Sequence, residues 1–536
     1  METSTVLTLG AAGALLLYNR TVASIPPVLL YPLLIVLLLS RRIYKFRIYP
    51  FYVSPLRKLP RPAATPHWLY GDFATSVKTP DGTQLLAWAE ELSGQDLMVL
   101  YGTMNSERVY PISVRAVQEV LQSQCYSFVK PPLFVKLFRS FLGDGLIFAE
   151  GDVHKHQRKQ LMPAFSYQHI NSLVPVFLSE SRRLVEFYRR RVYEGGYSDT
   201  AEIDVNSTLS AVTLDIIYSA GLGLSFNSLE DPQNELAVAY RKLFTQNKRG
   251  SIFLSLLQNH VPYFRYIPLR GNLNLWRSKM IVRKFAYDAI EKKLAKYKAR
   301  GGMSEKDVKA DIDIISVMIT EGNEEWTVEA AIEHLTTFFV AGHETTAAAV
   351  TIALYYLSLN PSLQTRLRAE IRSAFPNGLD SIRAHEDVES LKFLHNVTRE
   401  VFRLMPPVMN TTRMASEDVI IAGEHVPKGT FFMISPAIMN RKRELWGPDA
   451  LEFKPDRWDD PATATLSNMA FLTFLQGPRA CIGRRFAELE FKSLLLSLIG
   501  SFKFSLRPGQ EVKWTSIITY RPIGGLPLQV QSLSDW

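Results

Sequence analysis

The chain has 536 residues, 47% of them hydrophobic and 21% charged, which is the balance of a globular protein with a large core and excludes a disordered or fibrous one. Its two cysteines, Cys125 and Cys481, exclude a disulfide-built scaffold and point to a reducing compartment. The net charge of +9 is spread along the chain without a basic stripe interleaved with aromatics, which argues against a nucleic-acid partner and for an anionic membrane surface or an acidic protein.

In chain order, the first elements are apolar. Residues 5–18 and 23–40 carry no charge, and the second run is followed at once by Arg41, Arg42, Lys45 and Arg47. This pattern predicts a membrane anchor in residues 1–47 and keeps the rest of the chain on the cytosolic side. A cleaved signal peptide fits less well, because the first residues lack positive charge. Whether the first run spans or lies at the surface stays open. Residues 48–66 include SPLRKLPRPAATP, whose four prolines read as a stiff linker.

Residues 67–536 show neither a repeat nor a second linker, so one large domain is expected. Apolar periodicity predicts helices over Val114–Gln122, Gly151–Leu161, Asn171–Val192, Met280–Ala299, Thr327–Leu359, Pro361–Ala374, Leu391–Met405 and Arg484–Ile499. Short strands are expected at Leu97–Tyr101, Ser106–Pro111, Val419–Ile421, Phe431–Ser435, Phe502–Leu506 and Leu526–Val530. The fold class is therefore mainly α with small β-sheets.

The Thr327–Leu359 helix is apolar on nearly every face, yet its middle reads Gly342-His343-Glu344-Thr345-Thr346. The hydroxyls there could simply bond to the preceding turn. Alternatively, Thr345 bonds toward Ala341, opens the helix locally, and leaves a hydroxyl and a carboxylate beside a central cavity. Downstream, Glu400 and Arg403 share a helical face, and FKPDRW brings Arg457 in a proline turn. Alone the pair reads as a solvated face; a carboxylate held by two guanidinium groups would be a buried lock. Finally, FLQGPRACIG (Phe474–Gly483) sets Cys481 among turn-formers near Arg479 and Arg484, a setting for chemistry rather than packing. Cys125 reads as a packed, inert thiol.

Taken together, FLQGPRACIG, AGHETT (Ala341–Thr346), Glu400-x-x-Arg403 and FKPDRW resemble the motifs of the cytochrome P-450 haem-thiolate monooxygenases and occur in that family's sequence order, with the style of eukaryotic, fungal microsomal members. The resemblance implies the cytochrome P-450 fold, with haem b as cofactor and Cys481 as the metal ligand. A helix N-terminus, backbone N–H groups and the iron would depress the pKa of that thiol. By the same resemblance Phe474 shields the sulfur, Arg479 binds a haem propionate, and Glu344 and Thr345 are the acid and alcohol that manage proton delivery to dioxygen. In GDVHKHQRKQL the family commonly has tryptophan where this chain has His154; His154 and Arg158 are expected at the propionates, as is Arg413 in NTTRMA. His343 falls at a variable motif position and reads as structural.

The implied partners are NADPH-cytochrome P-450 reductase, with cytochrome b5 as a further donor, membrane lipid and a hydrophobic small molecule. Lys155, Lys159 and Arg485 are candidates for the reductase-facing surface. The substrate pocket would draw on Phe134–Phe148, Phe338, Phe339, Val408–Thr411 and Pro522-Ile523, all apolar or weakly polar. Residues 251–276 read equally as core or as a segment dipping into the bilayer. The implied function is insertion of one oxygen atom into a terpenoid or lipid-like natural product, at the endoplasmic reticulum with the catalytic domain facing the cytosol. The rivals are a haem-thiolate isomerase or dehydratase, and a non-catalytic haem carrier or sensor.

Overall fold

A computed structural model describes residues 27–72, 75, 79, 81–194, 199–224, 226–244, 270–299, 313–316, 327–516, 519–533 and 536. They fall into two compact units, Met1–Val129 with Thr411–Ser435, and Lys130–Asn410 with Pro436–Trp536.

In the first unit, helix Pro27–Ile43 has 17 residues, ends in Arg41 and Arg42, and exposes Tyr31, Leu33, Ile35, Val36, Leu37 and Leu39. Its length of about 26 Å is less than the roughly 30 Å of a bilayer's hydrocarbon core. Among the described residues no helix is long and apolar enough to cross a membrane, so the expected spanning helix is not seen there. The 5–18 run and the start of the 23–40 run lie outside the described residues. A wider π-type helix, Tyr44–Val53, comes next. The unit's sheet orders its strands Leu97–Tyr101, Glu107–Pro111, Phe431–Ile434, Thr411–Ala415 and Phe128–Val129. All neighbours are antiparallel except Glu107–Pro111 with Phe431–Ile434, where Arg108 pairs Phe431 and Val109 pairs Phe432. Leu97, Met98, Val99, Leu100 and Tyr101 are all buried, which explains why that strand reads as a continuous apolar run. A hairpin joins Val419–Ile421 to Glu424–Val426 through Ala422 and Gly423, both at positive φ (54° and 90°), the backbone a two-residue turn demands.

The second unit is mostly helical. Its axis is Val328–Leu359, 32 residues and about 48 Å long. The Thr327 hydroxyl caps its start by accepting from Ala330 N at 3.1 Å. At the other end Asn360 Nδ2 donates to Tyr356 O at 2.8 Å, and Pro361 opens the next helix, Pro361–Ala374, where its missing N–H costs nothing. Helices Val205–Leu222, Lys392–Leu404 and Arg484–Ser501 pack against this axis. The expected helix over 171–192 is instead two, Tyr167–Ser172 and Val174–Glu194, with Pro175 at the start of the second. A three-stranded sheet, Thr200–Asp204, Pro527–Ser532 and Phe502–Ser505, closes the C-terminal end. Of the 251–276 segment only the start of helix Arg270–Ala299 is described.

Candidate active site

The FLQGPRACIG loop in the second unit is built to present one sulfur. Leu475 (φ 56°) and Gly477 (φ 78°) turn it through left-handed backbone, costly for the leucine, a strain that is tolerated where the surroundings fix the chain. Cys481 N then donates to Phe474 O at 2.8 Å, closing the loop immediately before helix Arg484–Ser501. The Phe474 ring packs edge-on against Phe402 at 5.2 Å. Arg158 donates from Nη1 to Ala480 O at 2.8 Å, tying helix Gly151–Leu161 to the residue before the cysteine. Arg479 donates to Ala149 O at 2.9 Å and pairs with the Glu150 carboxylate, whose other oxygen takes Lys130 N at 2.7 Å. His154 is buried on the 151–161 helix, one turn before Arg158.

Cys481 keeps accessible surface although protein crowds it, and so does Ala341 in the middle of the otherwise buried long helix. Burial pushes the Cys481 thiol above its ordinary value, outweighing the opposing pull of the Gly483 N–H and of the nearby charges of Arg158 and Arg484. The helix start and its N–H groups pull this pKa down without overcoming burial, so the expected depression rests on the iron as well. A coordinated metal would have to complete the deprotonation. The donor set suits haem: one thiol at a helix start, with cationic side chains around it. Among the described residues no group of three or more His, Cys, Asp or Glu could hold a bare ion.

The long helix carries its polar centre without breaking. Thr345 Oγ1 donates to Ala341 O at 2.8 Å as expected, but the helix stays α-helical through this turn instead of opening. Thr336, Thr337, Thr346, Thr351 and Ser358 bond four residues back in the same way. His343 is buried, its Nδ1 lies 2.6 Å from Phe339 O, and burial lowers its pKa, so it stays neutral and structural. Glu344 is buried too. Its Oε1 accepts from Arg521 Nη1 at 3.2 Å and from Thr519 Oγ1 at 3.3 Å, while Oε2 lies 3.8 Å from His343 Nε2. Phe338 packs on Phe165 at 5.2 Å, but Phe339 stacks on Tyr218 at 5.6 Å, in the core rather than lining a pocket.

The buried lock is real. Glu400 and Arg403 are both fully buried and meet at 2.8 Å and 2.9 Å, and Arg457 Nε reaches Glu400 at 3.4 Å. Trp458 Nε1 and Lys454 N complete the carboxylate's shell at 3.1 Å and 3.0 Å. Arg403 in turn donates to the carbonyls of Asn440, Ala450 and Glu452, and so gathers the chain leading to the cysteine loop. Arg413 belongs to the first unit, on strand Thr411–Ala415, buried and donating to Thr412 O at 2.8 Å. Sequence reasoning missed Arg521, Thr519 and Glu150, since nothing in the sequence links them to partners as far away as 329 residues.

Comparison with known proteins agrees with this geometry. The family model described as Cytochrome P-450 matches residues 61–519. Cytochrome P-450 monooxygenase sphH of Aspergillus fumigatus is 35% identical over 93% of this chain and 92% of its own length. Cytochrome P-450 monooxygenase FUM15 of Gibberella moniliformis is 34% identical over 94% and 92%, and ptmK of Penicillium ochrochloron is 31% identical over 91% and 96%. The chain belongs to the cytochrome P-450 family and is a haem-dependent monooxygenase.

Proposed function

We propose that this monooxygenase oxidises a hydrophobic small molecule of terpenoid or lipid-like natural product biosynthesis, with electrons from NADPH delivered by NADPH-cytochrome P-450 reductase. The balance is RH + O2 + NADPH + H+ giving ROH + H2O + NADP+. Haem supplies oxygen activation, helped by electron donation from a thiolate. In this reading Cys481 would ligate the iron through its sulfur, Phe474 would shield that sulfur, and Arg158, Arg479 and His154 would hold the propionates, a role proposed separately for Arg413 of the first unit. A propionate at Arg479 must share that guanidinium with Glu150. Glu344 and Thr345 handle the protons.

The observation that carries the reading is the Cys481 loop itself, an accessible thiol at a helix start with the arginine side chains Arg158 and Arg484 nearby. Apolar rings support a hydrophobic substrate: Phe134 packs on Phe138 at 4.4 Å and Phe165 on Phe338. The exposed apolar face of Pro27–Ile43 and its two terminal arginines support membrane association, for which endoplasmic reticulum with a cytosol-facing catalytic domain is the natural site. The deciding experiment expresses the full chain with a reductase. Reduced protein under carbon monoxide should show the red-shifted Soret band of a thiolate ligand, and Cys481→Ala should lose it. Retention of that band in Cys481→Ala would sink the ligand assignment.

A further inference from the structure

The acid on the long helix is anchored outside that helix. Residues Trp514–Ser516 and Tyr520–Pro522 form a hairpin in which Thr515 pairs with Arg521. Tyr520 is buried, stacks almost parallel on Trp514 at 4.9 Å, and its N–H donates to Pro407 O at 2.7 Å. Trp514 in turn packs edge-on against Tyr355, further along the long helix. These contacts fix the hairpin on the helix. Side chains alternate along an extended segment, so Thr519 and Arg521 share the side opposite Tyr520, and both reach the same oxygen of Glu344, Oε1. The Glu344 side chain is 10% exposed and that of Arg521 21%, so the pair is largely shielded from water.

The consequence is an asymmetric carboxylate. Oε1 is held by a cation and a hydroxyl, and Oε2 is left toward the neutral His343, 3.8 Å away. We propose that Arg521, with Thr519, is a positioning residue for proton delivery: the hairpin pins Oε1 so that Glu344 takes up and passes on protons through Oε2 alone. This rests on the role given above to Glu344 and Thr345. It adds that the orientation of the acid is set by the C-terminal hairpin. Without Arg521 the side chain can turn, and displacements near 1 Å from productive geometry cost on the order of 100-fold in rate.

The test uses the full haem-loaded chain with its reductase, in four forms: wild type, Glu344→Gln, Arg521→Gln and the double variant, with Arg521→Lys as rescue. Two readouts are taken, peroxide formed per NADPH consumed and the thermal unfolding midpoint. Arg521→Gln should raise the peroxide yield and lower product formation about 100-fold with KM little changed, the lower end of the range expected for acid–base function. Arg521→Lys should recover part of the loss, since its ammonium can still meet one oxygen. The midpoints should be non-additive, the double variant losing less than the two singles together. If Glu344→Gln raises peroxide and Arg521→Gln does not, the inference falls while the role of Glu344 stands. If Glu344→Gln leaves peroxide unchanged, the role of Glu344 falls and the inference with it. Additive midpoints, or a lowered midpoint with unchanged peroxide yield, would reduce Arg521 to a structural contact and overturn the proposal. Should Arg521→Gln fail to retain haem by its carbon monoxide band, Arg521→Lys decides: a peroxide yield above wild type but below that of Glu344→Gln supports the proposal, and a wild-type yield overturns it.

Discussion

Glu400→Gln tests whether the lock is a stabilising centre. Glutamine keeps the shape of glutamate but turns one oxygen into an NH2 group. Oε1 accepts from Arg403 at 2.8 Å, Lys454 N at 3.0 Å and Arg457 at 3.4 Å, and Oε2 from Arg403 at 2.9 Å and Trp458 at 3.1 Å. Every neighbour is a donor, so the amide nitrogen meets donors whichever way it turns. The damage falls unequally on the two arginines. Arg457 keeps Asp449 at 2.7 Å, whereas Arg403 is left with the backbone carbonyls of Asn440, Ala450 and Glu452. Removing one partner of a buried pair costs about 3–5 kcal/mol, and the retained Asp449 contact puts this case in the lower half, about 3–4 kcal/mol. Against a total stability on the order of 5–15 kcal/mol, that is enough to compromise folding and haem retention. Urea unfolding followed by circular dichroism, with the carbon monoxide band as a parallel measure of haem content, checks it. A loss below about 1 kcal/mol, the worth of one ordinary hydrogen bond, would refute the reasoning.

Two acid–base predictions rest on buried groups. Burial pushes His334 down to about 4 from an ordinary 6.5, so between those values the unfolded chain takes up a proton that the folded chain refuses. Stability contributed by neutral His334 is present above 6.5 and falls as pH drops toward 4, by about 3 kcal/mol at ~1.4 kcal/mol per unit. Denaturation midpoints across that window should fall less steeply in His334→Gln, and an unchanged slope would refute the assignment. Glu490 is fully buried on the cysteine helix, and desolvation holds its carboxyl well above the usual range. Its contribution is greatest below 4.5 and is lost as pH rises, so Glu490→Gln should be at least as stable as wild type at pH 7. A clear destabilisation by this substitution, measured by urea unfolding, would show that Glu490 is ionised and paired.

Local signals carried much of the fold. The Asn360-Pro361 boundary, the Thr327 cap and the 151–161 helix are all where side-chain chemistry puts them, because each depends on neighbours within a turn. Helix Val205–Leu222 escaped, since Val205, Leu209, Val212, Leu214, Ile216, Ile217 and Leu222 are buried on several faces and leave no polar stripe to set a period. Strand Thr200–Asp204 escaped because its partner lies at the far end of the chain, at Pro527–Gln531. The candidate site divides the same way. The cysteine loop and the acid–alcohol pair are contiguous and legible, whereas Arg521 reaches Glu344 only through the register of a hairpin.

The bond from Thr345 Oγ1 to Ala341 O also fixes which way a hydrogen bond can run beside the helix. With its one proton committed to a backbone carbonyl, the hydroxyl meets its surroundings with lone pairs alone. A water molecule resting against it must point a hydrogen toward it. Reversing that polarity would mean breaking the bond to the preceding turn. The threonine thus gives the local chain of hydrogen bonds a direction, and an uncharged peptide oxygen, not an ion, dictates it.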